Sequence, residues 1–341
     1  MHRILTSTEL KKAIYKLTTR FYLLIDVCVI GTSRLGRPLY ALTVGSGDKH
    51  VMINASHHAN EWITSVIALN FLEELLTEIE KIPRGGKAAD FMNNTTLHML
   101  PMVNPDGVDL VTGGLGRLRP VYKRALQMAA AAEGQLLYDN PTKHADSGLF
   151  SNGHWAEFGI VGNAPFNSRQ KNPFSGWKAN AIGVDLNSNY PAGWEQARAH
   201  KFARGYTAPG PRDYVGDYPL SEPETSAMVA YTKANDFAHT ISLHTQGEEI
   251  FWRYQDYNPP GAEELARSLS EASGYVLEDV PDISSHGGYR DWFIQEYNRP
   301  GMTIECGKGE NPLPLSDFDE IYKKVAPLLW EACIFIRACS N

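Results

Sequence analysis

Two residues in the stretch ASHHANEW, His58 and Glu61, have the types and spacing to hold a metal. Neutral imidazole and carboxylate are both good Zn2+ ligands, and a catalytic zinc typically takes three protein ligands and keeps one position for water. Spacing alone is weak, because a His-x-x-Glu match arises easily by chance. The chain holds a second one, His154 and Glu157 in HWAE, within a Gly-, Asn- and Pro-rich region with no strand before it. That pair reads as a solvated loop. On spacing alone His58 is open to two readings, metal ligand or hydrogen-bonded turn histidine, and His57 reads as a supporting residue. A third ligand must come from elsewhere.

The elements that must position these groups are legible around them. Val51, Met52 and Ile53 form a β-rich run, and after the histidines Glu61 opens a helical pattern through Trp62, Ile63, Val66, Ile67, Leu69, Phe71, Leu72, Leu75 and Leu76. Strand, tight turn and helix place His58 and Glu61 at the carboxyl end of a strand, where open α/β sheets bind ligands. Other predicted strands end in polar groups too. TLHMLPMV (96–103) runs into the turn sequence Asn104-Pro105-Asp106-Gly107, WKANAIGVDLN reads as a turn and strand ending at Asn187, and HTISL (239–243) delivers His244. GMTIEC (301–306) is an apolar strand with one acid, Glu305. If these strands share one sheet, the outcome is a three-ligand zinc site beside a free carboxylate. Zinc acidifies its water and polarises a carbonyl while the carboxylate moves the proton, which is amide hydrolysis. His244 could instead be a strand-end histidine bonded to backbone, and Glu305 half of a buried ion pair.

Elsewhere, Thr6 and Glu9 form a capping-box pattern before Leu10, Ala13, Ile14 and Leu17, and residues 21–30 and 38–44 are β-rich. Residues 112–176 are irregular apart from a short helical piece near Tyr122 to Glu133, and are expected to be an insertion that shapes the cleft. PLSEPET predicts a helix capped by Ser221, with Glu224 closing the box. A strand from Ile250 to Tyr254, a helix from Gly261 to Ser273 and a helical piece from Gly288 to Tyr297 follow. The last helix begins near Ser316, with Pro327 expected to kink it. No repeat or linker divides the chain, so a single α/β domain over residues 1–341 is expected. With 43% hydrophobic residues the chain can bury a large core, and a net charge of −7 without a basic stripe argues against a nucleic-acid partner. Four cysteines without a C-x-x-C pair suit a reducing compartment. The apolar run 21–30 is short and contains Asp26, so neither a membrane span nor an export signal is expected, and the expected location is cytoplasmic.

In this order, SHHANEW, NPDG, GVDLN, PLSEPET, SLHTQ and TIEC resemble the zinc carboxypeptidase (carboxypeptidase A-like) family across nearly the whole chain. The resemblance implies an α/β/α sandwich around a mixed, mainly parallel eight-stranded sheet. It also implies one Zn2+ per chain held by His58, Glu61 and His244, with Glu305 as general base. Two departures stand out. In true carboxypeptidases GVDLN continues as Asn-Arg, a pair that grips the substrate's terminal carboxylate, whereas here Asn187 is followed by Ser188. Where related bacterial and cytosolic members carry an oxyanion-stabilising arginine, this chain has Lys178, which keeps the charge but loses the planar fork. The tyrosine that closes over substrate in digestive members has no match; Ile283 falls near its place, and His286 or Tyr289 could stand in.

GWKANAIGVDLN, GGYRDWFI and TIECGKGENPLP look most like the bacterial γ-D-glutamyl-L-diamino acid endopeptidases, which cut the D-glutamyl to meso-diaminopimelate bond of cell-wall peptides. The implied substrate is a muropeptide. Arg290 occupies the position that selects the side chain after the cut bond in related carboxypeptidases, and its fork suits diaminopimelate's carboxylate. The bland alternative is a helix-surface arginine paired with Glu296. Other readings are an ordinary metallocarboxypeptidase, which Ser188 argues against, a catalytically inactive wall-peptide-binding protein, and a small-molecule deacylase.

Overall fold

Strand β3 (Lys49–Ala55) is buried from Val51 to Ala55, and such unbroken burial belongs to a central strand covered on both faces. In the computed structural model, which describes residues 4–81, 87–139, 172–279 and 286–335, it lies mid-sheet. Before it come helix α1 (Ser7–Arg20) and strands β1 (Ile25–Thr32) and β2 (Pro38–Gly45). After it come α2 (Ile63–Ile79), α3 (Lys87–Asn94), β4 (Thr95–Leu100), α4 (Pro105–Thr112) and α5 (Pro120–Asp139). The second half contributes α6 (Trp194–Phe202), α7 (Pro223–Lys233), β5 (Phe237–His244), β6 (Glu249–Phe251) and α8 (Ala262–Ser273). It closes with β7 (Val276–Glu278), α9 (Tyr289–Tyr297), β8 (Gly301–Glu305) and α10 (Phe318–Ile334).

The sheet order is β1-β2-β4-β3-β5-β8-β6-β7. β3 pairs in parallel with β4 and β5, β5 with β8, and β6 with β7, while β1/β2, β2/β4 and β6/β8 are antiparallel. This is the mixed eight-stranded sheet expected. Alternation along the strands feeds two cores: Leu42, Ile53, Ile241 and Ile304 meet α1, α2, α8 and α10 on one face, and Ala41 and Met52 meet α7 and α9 on the other. The parallel strands β3, β5 and β8 therefore end along one edge, and the site is built there.

Several local expectations need correction. NPDG is no free turn: Asn104 caps α4, accepting from the Gly107 N–H at 3.0 Å, with Pro105 at the first helical position. WKANAIGVDLN forms no strand. Val184, Asp185 and Leu186 are buried in succession because the segment wedges into the molecule, and the Asp185 N–H donates to the Tyr214 carbonyl at 2.8 Å instead of to a ladder. Ser221 does not cap α7. The cap is Glu222, and Glu224 turns away to accept from the Arg34 N–H at 2.9 Å. The helical piece near Tyr122 extends through the twenty residues of α5, and the remainder of the expected insertion from 140 to 171 lies outside the described residues. β6 stops at Phe251, short of the expected Tyr254. His154, Glu157 and Ile283 lie outside the described residues.

Candidate metal centre and peptide cleft

β3 ends at Ala55, and the chain turns at once through Ser56, whose φ of 51° lies in the left-handed region. That conformation costs a non-glycine residue on the order of 1 kcal/mol, and the turn is held by bonds from the Ser56 N–H to Thr64 Oγ1 at 3.0 Å and between the Ser56 and Ser65 hydroxyls at 2.7 Å. The following histidines point to different surroundings. His57 is fully buried, hydrogen-bonded through Nε2 to the Tyr190 hydroxyl at 2.9 Å, and stacked against His244; burial holds its pKa well below the ordinary value. His58 faces a cavity with Glu61, on the short turn Ala59–Glu61, beside it.

β5 brings His244 to the same place. His58 Nδ1 lies 2.8 Å from Glu61 Oε1, His244 Nδ1 lies 2.9 Å from Glu61 Oε2, and the two ring nitrogens are 3.2 Å apart. Among the described residues this is the one His/Cys/Asp/Glu cluster that could hold a metal ion. The separations fit zinc: bonds of about 2.0–2.1 Å at tetrahedral angles put ligand atoms roughly 3.3 Å apart. The electrostatics fit as well. Burial works against charge on His58, yet Glu61 and Asp185 together outweigh it and lift the ring to about 9, so this corner favours a cation. The second nitrogen of His58 lies 3.4 Å from Asp185 Oδ1, the outer carboxylate that fixes a ligating imidazole. Burial would raise Asp185, but His58 and the lysines Lys201 and Lys178 overcome it and hold the carboxyl low.

Glu305 is paired with His244 in the β5/β8 register, which sets it beside the cluster without joining it. Burial first, then the charge of Glu61, pushes Glu305 up to about 8. Lys178 enters from a loop clamped on both sides: its N–H donates to the Pro211 carbonyl at 2.7 Å and its carbonyl accepts from the Ala59 N–H at 2.9 Å. Its Nζ is 3.3 Å from Glu61 Oε1. Asn104 ties these pieces together, its amide donating to the His57 carbonyl at 3.0 Å and the Ala179 carbonyl at 3.1 Å.

The cavity, of about 170 Å³, is also lined by Asn187, Ser188, His286 and Arg290. Gly287 lets the two loops meet. With φ of 78°, it lies so close to Ser188 that a Cβ would come within 2.9 Å of the Ser188 carbonyl oxygen. Tyr289 does not line the cavity. It is fully buried in the second core, its hydroxyl bonded with Thr232 Oγ1 at 2.9 Å and directed at Met52, so its ring is spent on packing; its N–H holds Asn187 Oδ1 at 3.1 Å. Arg290 is not the surface residue of the alternative reading, since Glu296 pairs with Lys233. Arg290 is buried and commits Nε and Nη2 to Asp291, which lines the same cavity. Sequence reasoning missed Asp185, Lys201, Arg212 and Asp213. Only Asp185 left a signal, inside GVDLN.

The zinc carboxypeptidase family model matches residues 10–327. The chain belongs to that family. Among zinc carboxypeptidase relatives, gamma-D-glutamyl-L-diamino acid endopeptidase 1 of Lysinibacillus sphaericus is 39% identical over 297 residues, covering 86% of this chain and 64% of its own length. This chain thus spans just under two thirds of that relative. The uncharacterized protein YqgT of Bacillus subtilis is 36% identical over 313 residues, covering 90% of this chain and 71% of YqgT. In fold, the carboxypeptidase A of Helicoverpa armigera superposes with a TM-score of 0.66 at 17% identity, over 98% of this chain and 74% of the other. Among the described residues of this zinc carboxypeptidase family member, no helix is long and apolar enough to cross a membrane.

Proposed function

We propose that the protein is a zinc-dependent peptidase of bacterial wall peptides that hydrolyses the amide between γ-D-glutamyl and meso-diaminopimelate. The observation that carries this reading is a division of labour at the sheet edge: His58, Glu61 and His244 converge as ligands, while a second acid, Glu305, stands beside them and is free for proton transfer. Zinc held there lowers the pKa of water to about 7 and polarises a carbonyl. Glu305 takes a proton from the attacking water as the new C–O bond forms, and delivers it to the nitrogen as the C–N bond breaks. Burial raises the Glu305 carboxyl above its ordinary value, which eases the return of the proton to the leaving nitrogen. Lys178 sets a positive charge against the developing oxyanion. Asn187 accepts from the Tyr289 N–H, and its amide nitrogen, 3.5 Å from His244 Nε2, keeps a second hydrogen for the substrate.

Substrate choice rests on the leaving side. Ser188 supplies no cation for a terminal carboxylate, which favours an endopeptidase over a carboxypeptidase. The Arg290–Asp291 pair presents both signs to the cavity, the complement of diaminopimelate's side-chain end, which bears both ammonium and carboxylate. The name of the Lysinibacillus relative supports the same bond. The free thiols of Cys28, Cys306 and Cys333 support work in the cytoplasm, on wall peptides taken back for recycling. The test is to incubate zinc-loaded protein with matched diaminopimelate and lysine muropeptides and identify the products by mass spectrometry. Cleavage at the γ-glutamyl bond is expected, with diaminopimelate preferred by roughly 2–3 kcal/mol in kcat/KM. Release of C-terminal residues alone would replace this reading with that of a carboxypeptidase.

A further inference from the structure

A second cavity, of about 480 Å³, adjoins the first, and Lys178, Arg212, Phe251 and Glu305 line both. The proton acceptor and the oxyanion donor thus stand on the seam. A substrate whose reacting carbonyl lies there extends its leaving amine into one cavity and its acyl portion into the other. Resting on the reading above, which gives the Arg290 side to the leaving diaminopimelate, the second cavity receives the acyl residue.

An acyl residue joined through its γ-carboxyl differs chemically from one in an ordinary peptide. Its α-carboxyl is left over as a charged group a few bonds from the reacting carbonyl, where an α-linked residue has a neutral amide. Arg212 meets the requirement of that group. Its Nε donates to Asp213 Oδ2 at 2.6 Å, and Asp213 is itself held by Lys201 and by its own N–H donating to Asp185 Oδ2 at 3.1 Å. The guanidinium is therefore anchored at its base to the cluster that also supports His58. Among the described residues its two terminal nitrogens have no hydrogen-bond partner, and its side chain is half exposed. Arg290, by contrast, is buried and spends Nε and Nη2 on Asp291. Glu249 and Glu310 line the second cavity but not the first, so that within the second cavity attraction for an anion is confined to the seam. The hydrogen bonds from the Lys178 and Ala179 N–H groups to the Pro211 carbonyl, at 2.7 and 2.9 Å, fix Arg212 beside the reacting centre.

We infer that Arg212 is a specificity residue that pairs with the free α-carboxylate of a γ-linked acyl residue, so that the protein discriminates between the carboxylate and carboxamide forms of the same wall peptide. An arginine offers such a carboxylate two parallel N–H donors, which a neutral carboxamide cannot match.

The experiment compares kcat/KM of the zinc-loaded protein for two peptides that differ only at this group, γ-D-glutamyl-diaminopimelate with its α-carboxyl free and the same peptide with that carboxyl amidated. The wild type is expected to favour the free acid by about 10- to 100-fold, the scale of hydrogen bonds to a charged group. In Arg212→Gln the two values should converge, and in Arg212→Lys part of the preference should return; zinc content and melting temperature report whether each variant is folded. The wild-type ratio stands as a test even if a variant is unstable. Equal rates on the two peptides, or a preference that survives Arg212→Gln in folded protein, overturn this assignment and leave the cleaved bond as proposed. Cleavage of neither peptide overturns both.

Discussion

Strands β3 and β5 each carry histidine at both ends. β3 has His50 near its start and runs out into His57 and His58; β5 has His239 near its start and ends on His244. At the starting edge the rings are satisfied by one another, by a hydroxyl and by a backbone carbonyl. His50 Nδ1 meets His98 Nε2 at 2.9 Å, His98 Nδ1 meets the Tyr231 hydroxyl at 2.7 Å, and His239 Nε2 donates to the Ala332 carbonyl at 2.8 Å. Burial lowers His98 and His239 to about 4, so both remain neutral and passive at ordinary pH. At the finishing edge, His58 and His244 turn their Nδ1 atoms onto one buried carboxylate, with a second acid and a lysine alongside. Histidine count therefore predicts nothing by itself. What separates the two edges is the carboxylates, which are costly to bury and stay charged only against cations.

The largest way to break this contrast is His244→Ala. Removing a ligand should abolish zinc binding and hydrolysis together, read by metal analysis and turnover; zinc retained at one per chain with wild-type rates would mean that the site lies elsewhere. A smaller effect is expected from Lys178→Ala, a fall in kcat of about 10²- to 10³-fold with zinc retained, the usual range for one oxyanion donor. A fall below fivefold would remove Lys178 from that role. The smallest effect belongs to the opposite edge. Because the folded pKa of His98, about 4, lies below its ordinary value of 6.5, the unfolded chain binds the proton first, and stability is lost as pH falls through that window. His50 and Tyr231 are the titratable groups bonded to it. The loss should be on the order of 2 kcal/mol. His98→Asn should flatten the fall of Tm between pH 6.5 and 4 with no change in zinc content, and an unchanged slope would show that another group governs it.

The contrast also explains what could be read in the chain. Strand ends followed by His58, Asn104 and His244 are local patterns, because a buried strand is an apolar run and its exit is a change of polarity. The two edges look alike in their histidines, and what selects one is that open α/β sheets bind ligands at strand carboxyl ends, where the acids Glu61 and Glu305 fall, with the resemblance to a family naming the ligands. Features set by tertiary partners were hidden. Val184 and Leu186 mimic a strand because the wedge they sit in is buried from Val184 to Leu186, as a central strand would be. Glu224 left its expected capping role because the Arg34 N–H offers it a partner from a distant loop. α3 and α6 gave no signal, being short helices in which about half the residues are polar; α6 is capped by Gly193, in the left-handed region, without a side-chain cap. Arg212 depends on Lys201, Asp213 and Asp185 meeting in space, which no spacing in the sequence encodes.

The central claim is that one set of side chains holds the metal while a different acid moves the proton, and Glu305→Gln tests it most directly. Glutamine keeps the size and the strand position of Glu305 but cannot accept the proton. With zinc content and muropeptide hydrolysis measured on the same preparation, the variant should bind one zinc per chain and lose several orders of magnitude in kcat, as expected when an essential proton acceptor is removed. Turnover within fivefold of wild type, or loss of the metal along with the activity, would contradict that division of roles.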